Sequence, residues 1–215
     1  MYAASKSAIL TLILLQMSTF VRALGVVICG PSGVGKGSII SLICKSFPTT
    51  VALSVSHTSR QPRSGEIDGF HYHFVSKDEM QKGIKKGNFL EHAEVHGNVY
   101  GTSKAAVDAI LQSNRIPLLD IDVEGVKQMK TIGSQFKYVF VSPPSFQDLE
   151  SRLSGRSTET REDINLRLGN AKKELEYGTE LNFDYILVND ELNGATRRLL
   201  NKLTSWYPQH FQDKS

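Results

Sequence analysis

The sequence predicts an α/β fold: a central, largely parallel sheet flanked by helices, with two inserted segments. Three observations predict it. Strand-like and helix-like segments alternate along most of the chain. A glycine-rich turn joins the first strand to the first helix. Two polar, charged stretches, residues 56–102 and about 153–167, interrupt the alternation.

The elements follow in order. Gly25 to Gly30 reads as a buried strand, and residues 34–47 as the helix after it, stopped by Pro48. Residues 51–55 form a second short strand. Residues 56–75 are polar, basic and turn-rich. Residues 76–86 form a helix, with Ser76 and Glu79 spaced as a capping box. Residues 89–95 and 99–102 read as strands around a Gly97-Asn98 turn. Residues 103–113 are helical. A strand over 116–121 ends in acids, and another over 138–141 precedes Pro143-Pro144. Helices are expected at 145–153 and, highly charged, at 156–177. A last strand at 185–188 and a last helix at 192–206 close the domain. The core is therefore 24–55 plus 103–207, the insertion 56–102, the lid about 153–167, and the tail 208–215.

Composition bounds the class. At about 150 residues per domain, 215 residues make one large domain or one domain with insertions. That length buries a core without disulfide or metal staples. Hydrophobic residues at 40% and charged residues at 22% exclude a disordered chain, a collagen-like fibre and a polytopic membrane protein. A net charge of +3 is too small to argue for nucleic acid, and none is expected as a partner. Cys29 and Cys44 are the only cysteines, which excludes a disulfide scaffold. Both sit in apolar runs and read as buried thiols in a reducing compartment.

Residues 1–23 stand apart as a leader or N-terminal extension. The first acid of the chain is Glu66. Ala8 to Leu15 is apolar except for Thr11, but too short for a bilayer, which needs roughly 20 residues. Four readings stay open: a secretory core, part of a transit peptide, an appended or non-native leader before a start at Met17, and an extra helix on the domain. Scarce arginines argue against transit, and the lack of a clean small-x-small site argues against secretion. The default compartment is the cytosol, with organelle targeting by the extension as the alternative. No stable membrane association is expected.

Residues 30–38 read Gly-Pro-Ser-Gly-Val-Gly-Lys-Gly-Ser between a strand and a helix. This is the phosphate-loop pattern, and it makes the fold a P-loop NTPase fold. Glycines let backbone amides curl around a phosphate, and the helix N-terminus adds partial positive charge. Gly30, Pro31, Ser32, Gly33, Val34, Gly35, Lys36, Gly37 and Ser38 are the candidate ATP-binding residues, with Lys36 reaching the β- and γ-phosphates. Gly37 departs from the pattern, since a Ser or Thr there usually gives Mg²⁺ a hydroxyl. Ser38 is shifted by one, so the metal is held mainly by phosphates and water.

The insertion carries a second motif. Thr58-Ser-Arg60-Gln-Pro-Arg63-Ser-Gly-Glu66 continues through Gly69 to Tyr72 and Phe74. Here the sequence resembles the guanylate kinase family. The resemblance runs through Glu91, Tyr100-Gly-Thr102, Asp120-Ile-Asp122, Arg152 to Arg156, Arg167 and Val188-Asn189-Asp190, covering roughly residues 24–205. It implies transfer of a phosphoryl group from Mg²⁺-bound ATP to GMP, and dGMP if the ribose is weakly read, in purine nucleotide metabolism. Arg60 and Arg63 can fork onto phosphate oxygens, with Tyr72 and Tyr100 adding hydroxyls. The resemblance assigns Glu91 and Asp122 to the N1–H and N2–H edge of guanine, and Ser56 and Thr102 to its acceptor side. Adenine presents the opposite polarity, and such mismatches discriminate by about 10⁴ or more.

Arg152, Arg156 and Arg167 match the lid arginines of the family and join Lys36 and Arg60 as the cations of the transfer step. Arg152 and Arg156 are four apart, on one helical face. Interleaved acids at 159, 162 and 163 give this segment a plainer reading as a solvated charged helix. Asp120 ends an apolar strand and can orient Mg²⁺ waters. The resemblance puts Asn189 at the adenine. The six histidines read as non-metal. Two other readings stay open: a guanylate-kinase-like binding module that has lost the ATP machinery, and a different nucleoside monophosphate kinase. The oligomeric expectation is a monomer or weak dimer.

Overall fold

The computed structural model describes residues 23–95, 97–154, 161–179 and 183–212, and only the backbone of 161–165. The leader up to residue 22, His96, Arg156 and the Arg161 side chain lie outside the described residues.

Five parallel strands form the central sheet. They are β1 (Gly25–Cys29), β2 (Val51–Leu53), β7 (Ile116–Asp120), β8 (Phe136–Ser142) and β9 (Tyr185–Val188), in the order β2-β7-β1-β8-β9. β1 is central and buried throughout. Alternate side chains leave opposite faces of a strand, so a strand covered on both faces reads as a continuous apolar run. Val26 and Ile28 join one core cluster and Val27 and Cys29 the other.

Helices cover both faces. On the first lie α1 (Lys36–Ser46), through Ile39, Ile40 and Ile43, and α7 (Leu192–Trp206), through Ala195, Leu199 and Leu203. α5 (Phe146–Ser154) and α6 (Arg161–Thr179) add Leu149, Leu153 and Ala171 there. On the second lie α3 (Lys104–Gln112), through Val107, and α4 (Val123–Thr131), through Val123, Val126 and Met129. A short α8 (Pro208–Phe211) lies in the stretch read as a tail; Phe211 packs edge-on against Phe47.

α4 has no counterpart among the segments read from the sequence. Its apolar residues fall at three-residue intervals, but Gly125 sits inside the first turn and weakens the pattern. The Asp122 carboxylate offsets this by accepting the Gly125 N–H at 2.8 Å as an N-cap.

A second, mixed sheet is built from β3 (His57–Thr58), β4 (His73–Phe74), β5 (Phe89–Val95) and β6 (Asn98–Ser103), in the order β4-β3-β6-β5. Two of these strands come from the stretch read only as turn-rich. α2 (Lys77–Lys85) carries the expected capping box. Val95 pairs with Asn98, so Asn98 belongs to the strand, and Gly97 (φ 76°) supplies the left-handed backbone of the reversal. A bulge after Phe89 shifts the β5–β6 register by one and brings Glu91, not Leu90, opposite Thr102.

All five strands of the central sheet are parallel, so their C-terminal ends share one edge. Gly30, Ser54, Asp120 and Asn189 lie there, at the crevice where open α/β sheets bind ligands.

Candidate functional site

One open cleft of about 1150 Å³ runs from the edge of the central sheet to the mixed sheet. Its walls include Gly30, Ser32, Lys36, Asp120 and Asp122 on one side. Ser56, Arg60, Arg63, Tyr72, Glu91 and Tyr100 line the other. Residues far apart in sequence thus share one solvent-filled space.

The phosphate loop is backbone-built. Gly35 is the N-cap of α1 in a left-handed conformation (φ 98°), and a Cβ there would lie 2.5 Å from the Asn189 amide nitrogen. No side chain caps α1 and no acid sits in its first turn, so its leading N–H groups keep their donor capacity for an anion. Lys36 Nζ folds back onto the loop, donating to Gly30 O at 2.6 Å and Pro31 O at 3.4 Å, and stands 3.9 Å from Asp120 Oδ1. Protein surrounding the Asp120 carboxyl pushes its pKa up, Lys36 opposes this, and Asp122 adds to it. The side chain still keeps 37% of its surface open through the cleft, so a solvated ion can reach it. Around Gly37 there is open space for a side chain. Ser38 is exposed on the next position of the helix.

Asn189 is 5% exposed, and its side-chain amide donates to Val34 O at 2.7 Å. Its own backbone carbonyl accepts from Arg152 Nη2 at 2.9 Å. Asn189 therefore braces the loop from behind and does not line the cleft. Arg152 reaches the same bracing point. Arg167 of α6 does line the cleft, with Nη1 at 3.5 Å from Ser32 Oγ.

The acceptor end is side-chain-built. Glu66 holds Arg60: Arg60 Nη2 donates to Glu66 Oε1 at 2.8 Å, and Arg63 N donates to Glu66 Oε2 at 2.7 Å. Arg60 holds the Glu66 carboxyl down to about 2, and burial only partly opposes it. The Arg60 guanidinium also lies 5.5 Å from the Tyr72 ring centre and interacts with the Tyr100 hydroxyl. The Tyr72 and Tyr100 rings meet edge to face at 5.9 Å. Desolvation raises the Tyr72 pKa, so its hydroxyl stays a donor.

Glu91, also on the cleft wall, is 5% exposed. Burial pushes its carboxyl up to about 7; the Thr102 hydroxyl and N–H pull it back, and Asp122 pushes it further up. The Thr102 hydroxyl faces Glu91 but falls outside hydrogen-bond geometry, and Thr102 is fully buried. Gly125 makes room for the acid, since a Cβ there would lie 2.7 Å from Glu91 Oε2. Gln128 of α4 clamps β5 from outside, exchanging hydrogen bonds with the His92 backbone at 2.6 and 3.1 Å.

Sequence reasoning missed several of these. Glu66 lies in the motif with no role that its residue type announces, although its spacing from Arg60 and Arg63 suits a turn. Ser54, with a buried and unpartnered hydroxyl at the cleft wall, carried no signal beyond a strand end. Gly125 and Glu174 had none at all. Glu174 of α6 lines the cleft beside the phosphate loop, and burial raises its carboxyl to about 7 against the pull of Lys36.

Fold and cleft define a phosphate-loop α/β domain whose loop faces an arginine-lined pocket. Comparison with known proteins narrows the class. The guanylate kinase family model matches residues 22–205. The chain is 49% identical to guanylate kinase 1 of Arabidopsis thaliana over 83% of this chain and 46% of that protein. It is 47% identical to guanylate kinase of Sus scrofa over 79% of this chain and 86% of that one. The crystal structure of guanylate kinase from Anaplasma phagocytophilum matches with a TM-score of 0.66 at 27% identity, over 86% of both chains. This chain belongs to the guanylate kinase family. It spans about half the length of its Arabidopsis and rice relatives, 46% and 48%.

Proposed function

We propose that this protein transfers the γ-phosphoryl group of Mg²⁺-bound ATP to GMP, and to dGMP, releasing ADP and GDP. What carries the reading is one juxtaposition. A phosphate loop with Lys36 shares its cleft with two carboxylates, Glu91 and Asp122, and an arginine pair, Arg60 and Arg63. Guanine offers N–H donors on the edge those carboxylates suit, and adenine does not. We read residues 24–207 as one kinase domain, with 56–102 as its acceptor-binding insertion and about 153–167 as its lid.

The attacking group is a phosphate oxygen, already ionised near neutral pH, so the transfer needs no general base. Positioning and charge neutralisation do the chemistry. Arg60 and Arg63 hold the acceptor phosphate against its repulsion from ATP. Lys36 and Arg167 face the transferred group, and Arg156 belongs with them in this reading. The attacking oxygen bonds to the γ-phosphorus as the bridging bond to ADP breaks. Lid closure excludes water, which otherwise takes the phosphoryl group.

Asp120 fits Mg²⁺ through its water shell, because the ion prefers hard oxygen donors and keeps several waters. A bound Mg²⁺ would supply charge neutralisation at the phosphates. With glycine at position 37, the chain itself would offer the ion no hydroxyl there. Two free thiols, Cys29 and Cys44, suit a reducing compartment, which supports the cytosol. Among the described residues, no helix is long and apolar enough to cross a membrane.

A coupled ADP-release assay tests the reading. Mg²⁺-bound ATP with GMP or dGMP gives turnover, AMP gives almost none, and Lys36→Ala abolishes it. Comparable turnover of AMP and GMP contradicts the guanine assignment.

A further inference from the structure

α4 and β5 meet along one side of the helix. Val123, Val126 and Met129 are buried in the core and fix the rotation of α4. Gly125 and Gln128, three residues apart, then turn to β5. The Glu91 carboxyl lies over Gly125, where a Cβ would stand 2.7 Å from Oε2. Gln128 takes the next residue of the strand. Its amide nitrogen donates to His92 O at 2.6 Å, and its oxygen accepts from His92 N at 3.1 Å. Asp122, three residues before Gly125, starts the same helix as its N-cap.

β5 is an edge strand of the mixed sheet. At an edge, the outward N–H and C=O groups have no strand partner. A carboxamide carries both a donor and an acceptor, so it pairs with both backbone groups of one residue, as a neighbouring strand would. Water satisfies exposed edge groups equally well, so satisfaction alone gives no reason for a side chain from another layer of the fold. What the carboxamide adds is position. The strand is bulged between Phe89 and Glu91, directly before the clamp. A slip of one residue turns every side chain of a strand to the other face. Such a slip would take Glu91 away from Thr102, and His92 would no longer present both backbone groups outward to α4.

We propose that Gln128 is a positioning residue for base choice: by pairing with both backbone groups of His92, it holds the bulged edge strand on α4 with Glu91 and Asp122 facing one guanine. Both polar atoms of its side chain are engaged by His92, so it acts through the strand and not on the ligand. This rests on the kinase reading above. Wild-type GMP binding and turnover are measured first, so failure of that reading is seen separately.

The test is calorimetry of GMP binding, steady-state kinetics and thermal melting of Gln128→Met and Gln128→Leu, the first also combined with Glu91→Gln. Neither replacement pairs with backbone, and the two differ in shape. Both weaken GMP binding and raise the GMP KM about ten-fold, with kcat and the ATP KM within about three-fold of wild type. The melting temperature stays within about 3 °C. The ratio of kcat/KM for GMP to that for AMP falls about ten-fold. Gln128→Met costs at least about three-fold less in the Glu91→Gln background than in wild type, as expected of a residue that acts through Glu91. Unchanged GMP binding overturns the proposal. So does an equal loss for ATP and GMP, a loss confined to one of the two variants, variants that do not fold, or full additivity with Glu91→Gln. Wild type that binds GMP without turnover overturns the kinase reading alone, and the binding measurements still decide the role of Gln128. Wild type that does not bind GMP overturns both.

Discussion

The phosphate loop and the proposed acceptor pocket open into one cleft but are built by different means. The loop offers backbone: amides at the head of α1, shaped by glycines and braced by Asn189 through Val34 O. The pocket offers side chains: a buried acid with a raised pKa, an arginine locked by Glu66, and the Ser54 hydroxyl, buried at the cleft wall without a hydrogen-bond partner. Backbone amides read charge and shape, which every nucleoside triphosphate shares. A buried carboxylate reads donor polarity, which separates one base from another. On the proposed function, the loop end would serve affinity and the far end choice of base.

Substitutions break that division in order of size. Lys36→Ala removes the one side-chain cation of the loop and lowers kcat about 10³-fold, while GMP binding measured by calorimetry stays within about two-fold of wild type. Glu91→Gln strikes the other end. It presents an amide to the donor edge of guanine and costs about 3 kcal/mol, or roughly a hundred-fold in kcat/KM for GMP, with the ATP KM nearly unchanged.

The same acid gives a pH signature. Its folded-state value of about 7 lies above its ordinary 4.5, so its contribution to stability is fully present below about 4.5 and is lost as pH rises through about 7. Glu91→Gln therefore stabilises the free protein by about 3 kcal/mol at pH 8 and has almost no such effect at pH 4.5, read from denaturant melts at both pH values. GMP donors favour the charged carboxylate, so GMP binding releases a proton from wild type near pH 7 and fewer from Glu91→Gln. Calorimetry in buffers of different ionisation enthalpy counts them.

The smallest effect sharpens the donor end. Gly37→Ser enters open space in the first turn of α1, so it folds without strain. It places a hydroxyl beside the phosphate loop, and the Mg²⁺ concentration for half-maximal rate falls about two- to five-fold with kcat within about three-fold of wild type. A magnesium titration of the rate decides it.

The two ends also differ in how well the sequence discloses them. The loop is nine consecutive residues between a strand and a helix, so its pattern and its structure coincide. Arg60, Arg63 and Tyr72 fall in one short segment and were legible for the same reason. Glu91 and Asp122 were legible only through the family resemblance, because nothing local says that β5 is bulged or that Asp122 caps α4. Gly125 looks like a flaw in a helix until Glu91 fills the space above it. Glu174 is one acid in a charged helix, and only the fold brings it to the cleft beside the phosphate loop. The resemblance puts Asn189 at the adenine, whereas its side-chain amide is engaged by Val34 O behind the loop. Local backbone geometry is written locally, whereas a pocket assembled from five segments depends on contacts the chain makes only when folded.

In the proposed kinase, the buried Glu91 chooses the base. The direct test is the ratio of kcat/KM for GMP to that for AMP, measured for wild type and Glu91→Gln at one pH with saturating Mg²⁺-bound ATP. The account predicts a wild-type ratio of about 10⁴ or more, falling at least about a hundred-fold in the variant, chiefly through loss of GMP. A wild-type ratio near one, or a ratio that Glu91→Gln leaves unchanged, contradicts it.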